Sequence, residues 1–431
     1  MLLLSGCGGS EDKENVVNPE GMAARRAGIS SLLRGGVTFA AVAADEGHAA
    51  QIGREVLLAG GNATDAAVAM YFAMAVTLPS AASLGASGAC VVHDSKTRAG
   101  EVFAFPPVAA PGAINGIPIT VPAGVRAVTL MHIRHGQSRW ELDLAGAERL
   151  ARNGFPVSRA LSRDLQAGAA LIGADREARR IFGKGTGTAV TEGDTWVQTE
   201  LGSTIATIRQ RGGPEFFQGS VARLLSGGVG QMGGSLTLES LRASVPISGA
   251  PPAENYGGFK VYVAPAPLAG STAIAGWRGQ QPSATATSAD SGGFAGLAAM
   301  DEKGGAAACA LSMGQLFGSR MMVPGTGVLL GVATADAAAV SPLVIGNPGN
   351  GEVRFAGAGG GGPGAAFATG AIARATIERA TAVQTALDAN AGRGGWVNAI
   401  ACPNGIRGGA ASCQSGIDKA GGGLSLLAIP R

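Results

Sequence analysis

Apolar positions change their period along the chain, and the changes mark out elements. Val37–Ala43 is apolar almost throughout, as a strand buried on both faces is. In Glu46–Leu58, Ala49, Ile52, Val56 and Leu57 recur at helical spacing, and Gly60-Gly61 ends the helix. Asn62-Ala-Thr-Asp65 supplies capping side chains for the next one. No charged residue occurs from Ala66 to Val92. Pro79, Ser80, Ser83, Gly85, Ser87 and Gly88 interrupt the second half of that stretch, and Ala66–Val76 alone is too short to cross a membrane. The pattern predicts a buried helix, a small-residue loop and a buried strand ending at His93-Asp94. Gly100–Phe105 is a further predicted strand.

A helical region follows. Ser138-Arg-Trp-Glu141 has the form of a capping box, opening a helix through Leu142, Leu144 and Leu150 to Asn153-Gly154. Ser158 opens another through Leu161, Leu165 and Leu171. Leu201–Arg211 and Ser220–Leu225 are two more, each followed by Gly-Gly, and Thr237–Leu241 begins a short one. Then the period shortens. Phe259–Val263 is a predicted strand. Gln280–Gly293 is polar and rich in Gly, Ser and Thr, so it reads as an exposed linker. Leu297–Met300 and Ala306–Leu311 form a hairpin around Glu302–Gly305. Val328–Leu330 and Val353–Ala356 are further strands, and Ala365–Leu387 is an Ala-rich helical run. A helix-rich first half and a strand-rich second half imply a layered α/β body.

Composition narrows this picture. The chain has 431 residues, 71 of them Gly; charged residues are 15% and aromatics 5%. Hydrophobic residues at 46% exclude a disordered chain, and the glycines lack the three-residue period of collagen. A net charge of +3, with no Lys/Arg-rich run interleaved with aromatics, argues against a nucleic-acid partner. The length fits two or three domains or one large α/β unit, whose core must be Ala, Val and Leu.

Leu4-Ser5-Gly6-Cys7 resembles a bacterial lipobox, although the apolar stretch before it is short and no Lys or Arg precedes it. On that reading residues 1–20 are a signal and polar tether, Cys7 carries a lipid anchor, and the protein is exported to the periplasm or outer membrane of a bacterium. Cys402 and Cys413 lie in a Gly/Pro-rich stretch where a disulfide would close a small loop. Cys90 and Cys309 sit in apolar runs and read as buried free thiols. His132 and His135 share one face of a predicted helix. A metal site there would need carboxylate partners, so they read as a surface pair and no metal is expected. Gly357-Ala-Gly-Gly-Gly-Gly362 lacks the Lys-Ser/Thr of a phosphate loop, but its backbone can approach a ligand closely, as an oxyanion site requires.

The order of several segments identifies the chain's relatives. Ala40–Val92, containing Gly60-Gly-Asn-Ala-Thr-Asp-Ala-Ala67, resembles the N-terminal signature of gamma-glutamyltransferases. Thr120-Val-Pro-Ala-Gly124, Ala147-Glu-Arg-Leu-Ala-Arg-Asn-Gly-Phe-Pro-Val157 and Gly233-Gly-Ser-Leu-Thr-Leu-Glu239 continue the resemblance, and Phe317–Leu330 is its most specific piece. It extends over roughly residues 37–430. The resemblance implies a four-layer αββα N-terminal-nucleophile hydrolase fold, one globular unit made of a large-subunit-like region 21–290 and a small-subunit-like region 291–431. It implies a precursor that cuts itself into a large and a small fragment. The new N-terminal hydroxyl residue, with its own α-amine as base, attacks a γ-glutamyl or related amide. No cofactor is implied, and the partner is a small-molecule amide.

The family's site maps onto this chain unevenly. Its nucleophile stands seven residues before an Asp that matches Asp301, and an ungapped count lands on Phe294. A three-residue insertion moves the position to Ser291, with Thr287 and Ser288 as alternatives, and a plain Gly/Ser linker is an equal reading. Ser312 matches the hydroxyl that supports the nucleophile, and Gly360 and Gly361 match the oxyanion pair. Asp336 and Ser341 fall at substrate-binding positions. Ala104 stands where an Arg that clamps a carboxylate is expected, and Gly314 replaces an Asn. Two functions remain: a divergent amidase or acyltransferase, and an inactive member kept as an envelope-anchored binding or scaffold protein.

Overall fold

The computed structural model describes residues 39–173, 175–184, 188–280, 292–408 and 410–428. Cys7, the tether, and Thr287, Ser288 and Ser291 lie outside them. The helix-rich half begins with strand β1 (Ala40–Ala44), helices α1 (Gly47–Leu58) and α2 (Ala63–Thr77), and strands β2 (Ser87–Asp94) and β3 (Ala99–Phe105). Helices α3 (Gly124–His135), α4 (Trp140–Asn153), α5 (Arg159–Ala167), α6 (Thr199–Arg211) and α7 (Ser220–Gln231) complete it. The strand-rich half holds β4 (Ile247–Gly249), β5 (Ala253–Tyr256), β6 (Phe259–Val263), α8 (Gly270–Arg278), β7 (Phe294–Met300), β8 (Ala306–Ser312) and β9 (Val340–Gly346). It ends with β10 (Val353–Gly360), α9 (Pro363–Glu378), α10 (Val383–Asp388), β11 (Trp396–Ala401), β12 (Gln414–Ile417) and β13 (Leu424–Ala428).

Each strand divides its side chains between two layers, as the period of two demands. In β1, Ala40, Val42 and Ala44 face helices, whereas Ala41 and Ala43 face a second sheet. In β8, Ala307, Cys309 and Leu311 take the first role and Ala306, Ala308 and Ala310 the second. Two antiparallel sheets result, one in the order β13-β1-β7-β8-β2-β3-β4 and the other β12-β11-β10-β9-β6-β5. Helices α1, α2 and α3 cover the first sheet, and α8, α9 and α10 cover the second. This is the four-layer αββα arrangement that the resemblance implies. The inner layer is built largely of Ala side chains, which explains a core with few aromatics. On the far face, α8 and α9 touch backbone to backbone: a Cβ on Gly370 would lie 1.8 Å from the Ala273 carbonyl oxygen.

Local signals set most boundaries. Glu46 caps α1 by accepting from the Ala49 N–H at 2.9 Å. Asn62 and Asp65 form a reciprocal capping box on α2, all of whose residues are buried. Several expectations are corrected. Ser138 does not cap α4, which starts at Trp140 after an Arg139 with no capping bond; the Ser138 hydroxyl donates to Asp143 instead. The helix from Ser158 breaks at Gly168, before Leu171. Helix α7 runs on through Gly227-Gly228, and the Ala-rich run splits into α9 and α10. Cys90 and Cys309 are not free thiols. They are direct register partners on neighbouring strands and form a disulfide, with Cα atoms 4.0 Å apart. Cys402 and Cys413 are bonded as expected.

Candidate active site at one edge of the sheet pair

Of the residues singled out by the sequence, Ser312 and Gly360 meet at the strand ends where β7 begins. Phe294, the first residue of β7, is the register partner of Ser312, the last residue of β8. Both lie on the strand face that packs toward the second sheet. Ser312 is fully buried; its Oγ accepts from the Gly314 N–H at 2.9 Å, and its carbonyl accepts from the Ser87 hydroxyl at 3.1 Å. From the opposite sheet comes Gly360, where an added Cβ would stand 3.1 Å from Phe294 Cβ. The chain then turns through Gly361 and Gly362, at φ +122° and +131°, into α9, whose N-terminus has no side-chain cap. Gly293 precedes Phe294 at φ +83°. A Cβ there would lie 2.2 Å from the Gln315 carbonyl oxygen, so only glycine lets the chain enter β7 against that loop.

The remaining positions are placed differently. Asp336 is exposed on a short turn whose Ala337 packs beside Gly314, two residues from Ser312. Ser341 pairs with Gly359 but shares the strand face of Leu343 and Ile345, which pack under the outer helices. Its buried hydroxyl, without a hydrogen-bond partner, therefore points away from Phe294. Ala104 is buried between the sheets in a row with Ala89, Ala310 and Gly296. The inner wall next to the candidate site is thus apolar.

Two polar residues that the sequence reading passed over hold this edge. Asp45 Oδ2 accepts from the Gly296 N–H at 2.7 Å, and Asn398 Nδ2 donates to the Gly296 carbonyl at 2.9 Å. They clamp β7 two residues after Phe294. Burial pushes the Asp45 carboxyl up to about 6, against the lowering pull of Gly296, Asn398 and Arg163, with Asp418 adding to the rise. An Asp directly after the apolar run Ala40–Ala44 was the available signal; Asn398 carried none.

The two histidines of α3 are also corrected. They are not a plain surface pair. His135 lies between Asp94 at 3.1 Å and Glu101 at 2.7 Å, and His132 meets Asp143 at 3.2 Å and Asp65 at 3.7 Å. These carboxylates come from β2, β3, α4 and α2.

The family model for gamma-glutamyltranspeptidase matches residues 49–279, more than half of the chain. The chain belongs to that family. Among its relatives, Scoloptoxin SSD14 of Scolopendra dehaani is 31% identical over 245 residues, 53% of this chain and 42% of the toxin. The glutathione hydrolase proenzyme of Escherichia coli K12 is 31% identical over 251 residues, 54% of this chain and 43% of that protein. The match thus spans less than half the length of these family members. Gamma-glutamyltranspeptidase from Helicobacter pylori overlays with a TM-score of 0.50 at 27% identity, covering 57% of this chain and 76% of that one. The fold extends further than the sequence match. Cephalosporin acylase from Bacillus halodurans overlays with a TM-score of 0.73, 18% identity, and 90% and 96% coverage.

Proposed function

We propose that the protein is an amidase or acyltransferase that acts on a γ-glutamyl or related amide through a self-processed N-terminal hydroxyl residue. The convergence of Ser312 and the Gly360 turn on the start of β7 carries the reading. The nucleophile candidates lie in residues 281–291, the stretch of sequence that immediately precedes Gly292. Ser291 is the assigned nucleophile, with Ser288 and Thr287 as alternatives. Cleavage before it would divide the chain into a 21–290 region and a 291–431 region that stay folded together.

The chemistry then follows from the groups present. The freed α-amine takes the proton of the Ser291 hydroxyl as the oxygen attacks the amide carbon. Backbone N–H groups at Gly360 and Gly361 stabilise the developing oxyanion. The C–N bond breaks, the amine leaves with the proton, and an ester to Ser291 remains. Water or a second amine then cleaves that ester. Ser312 positions the nucleophile from the paired strand. Of the assigned substrate-binding residues, Asp336 is the better placed, being exposed at the site's lip. The Ala104 wall offers no cation for a carboxylate, which widens the range of acyl groups beyond glutamyl.

The two disulfides support an oxidising compartment. Among the described residues no helix is long and apolar enough to cross a membrane. A lipid on Cys7 is the proposed anchor. A second reading, an inactive binding or scaffold protein, is favoured by Phe294 at the ungapped nucleophile position. Incubation with a glutamine-like electrophile separates the two. A single covalent adduct mapped to Ser291, Ser288 or Thr287, with turnover of a γ-glutamyl anilide, supports the enzyme. No adduct and no turnover supports the scaffold.

A further inference from the structure

On the helical face of the first sheet, far from the candidate active site in sequence, three helices bring together one imidazole and two carboxylates. Asp65 projects from α2, His132 from α3 and Asp143 from α4. One ligand atom from each lies within 4.8 Å of the others. We propose that Asp65, His132 and Asp143 bind a zinc-type divalent cation that fastens α2, α3 and α4 to one another.

The spacing fits such an ion. Bonds of about 2.0–2.1 Å in a tetrahedral site place ligand atoms about 3.4 Å apart. His132 Nε2 stands 3.2 Å from Asp143 Oδ2 and 3.7 Å from Asp65 Oδ1. The backbone oxygen of Ser138, also 3.2 Å from Nε2, is a fourth donor atom at hand. An imidazole among the ligands selects against calcium and magnesium, which take oxygen donors.

A second observation points to a ligand. Asp143 is 1% exposed, and its Oδ2 has no hydrogen-bond partner even though His132 Nε2 is near. A buried carboxylate oxygen left unpaired is costly, and it is aimed at the other two ligands. The surrounding groups are already arranged as a supporting shell. The Ser138 hydroxyl holds the other oxygen of Asp143. Asp65 Oδ1 accepts from the Gln137 N–H at 2.9 Å, and its Oδ2 accepts from Asn62 and Ser138 N–H groups at 2.9 and 3.0 Å. Such bonds fix the direction in which a carboxylate presents its free lone pair. The Trp140 ring packs against His132 at 5.3 Å, and the 13% exposure of the His132 side chain leaves a way in.

A proton on His132 is the competing occupant. It would balance one of the two negative charges, whereas a divalent ion balances both and leaves the imidazole neutral. No local spacing marks the site, because Asp65 and Asp143 lie 67 and 11 positions from His132.

The test uses untagged full-length protein, stripped with a chelator and titrated with zinc chloride by calorimetry. One zinc per chain is expected, with a higher melting temperature. His132→Asn and Asp143→Asn should each weaken binding about 100-fold, while Glu101→Gln, beside His135, should leave it unchanged. Titration of the wild type with cobalt(II) gives a second readout that needs no variant, visible bands of a tetrahedral nitrogen–oxygen site. Absence of stoichiometric zinc and of those bands would overturn the proposal, as would binding that survives both substitutions. None of these readouts depends on turnover, so failure of the proposed enzyme function leaves this result intact.

Discussion

Residues 49–279 and residues 292–428 do different work. The first region matches the family model, and it holds a capping box, buried carboxylates with N–H donors, and a fully buried helix α2. The second supplies the candidate site, and there the same layered architecture is filled with small residues. Gly314 and Gly293 stand where the resemblance places or surrounds functional side chains, and Phe294 occupies the start of β7. The difference teaches that the fold rests on packing and capping. The proposed chemistry rests on a handful of positions at one end of the strands, where small residues leave the layers intact.

Substitutions can break or sharpen that contrast. The largest effect is expected in the framework. Phe72 is buried in α2 with its ring against Trp140 at 5.6 Å, so Phe72→Ala should cost about 3–5 kcal/mol in denaturant unfolding. A loss below about 1 kcal/mol would show that α2 does not carry the fold.

Asp45, just ahead of the first region, bonds to the second at Gly296, and pH reads its contribution. Its folded value of about 6 lies above its ordinary 3.8, so burial disfavours the charged form. Stability from this group is fully present below 3.8 and is lost as pH rises through 6. Asp45→Asn removes the titration. Its stability relative to wild type should improve by about 3 kcal/mol between pH 3.5 and pH 7.5, the equivalent of the two-unit rise. A constant difference across that range would mean Asp45 is not held in an unfavourable charge state.

Ser312→Ala should separate activity from stability. Turnover is expected to fall about 100-fold, a loss of about 3 kcal/mol in transition-state stabilisation, with unfolding changed by about 1 kcal/mol. Equal losses in both would make Ser312 a framework residue. The smallest effect is expected at Asn62. Removing the cap by Asn62→Ala should cost about 1 kcal/mol, with turnover unchanged at temperatures where the chain stays folded.

Much of the architecture was legible because it is written locally. The periods of Glu46–Leu58 and Ala306–Leu311, the Asn62 cap and the Gly60-Gly61 stop need no knowledge of distant residues. What stayed hidden depends on pairing across the chain. Cys90 and Cys309 are 219 residues apart and meet only through the β2–β8 register. The face of Ser341 follows from the phase of β9, which its own residues do not set. The histidines of α3 receive carboxylates from four other elements. The nucleophile is hardest, because the Gly/Ser/Thr-rich run before β7 has no period to fix its alignment with Asp301.

The proposed function requires self-cleavage that leaves an N-terminal nucleophile beside Phe294, Ser312 and Gly360. N-terminal sequencing of the purified protein's fragments tests it most directly. Two tightly associated chains are expected, the C-terminal one beginning at Ser291. A start at Ser288 or Thr287 would keep the mechanism and move the nucleophile. A single chain with no cleavage between residues 280 and 292, 42.5 kDa when all 431 residues are retained, would contradict it.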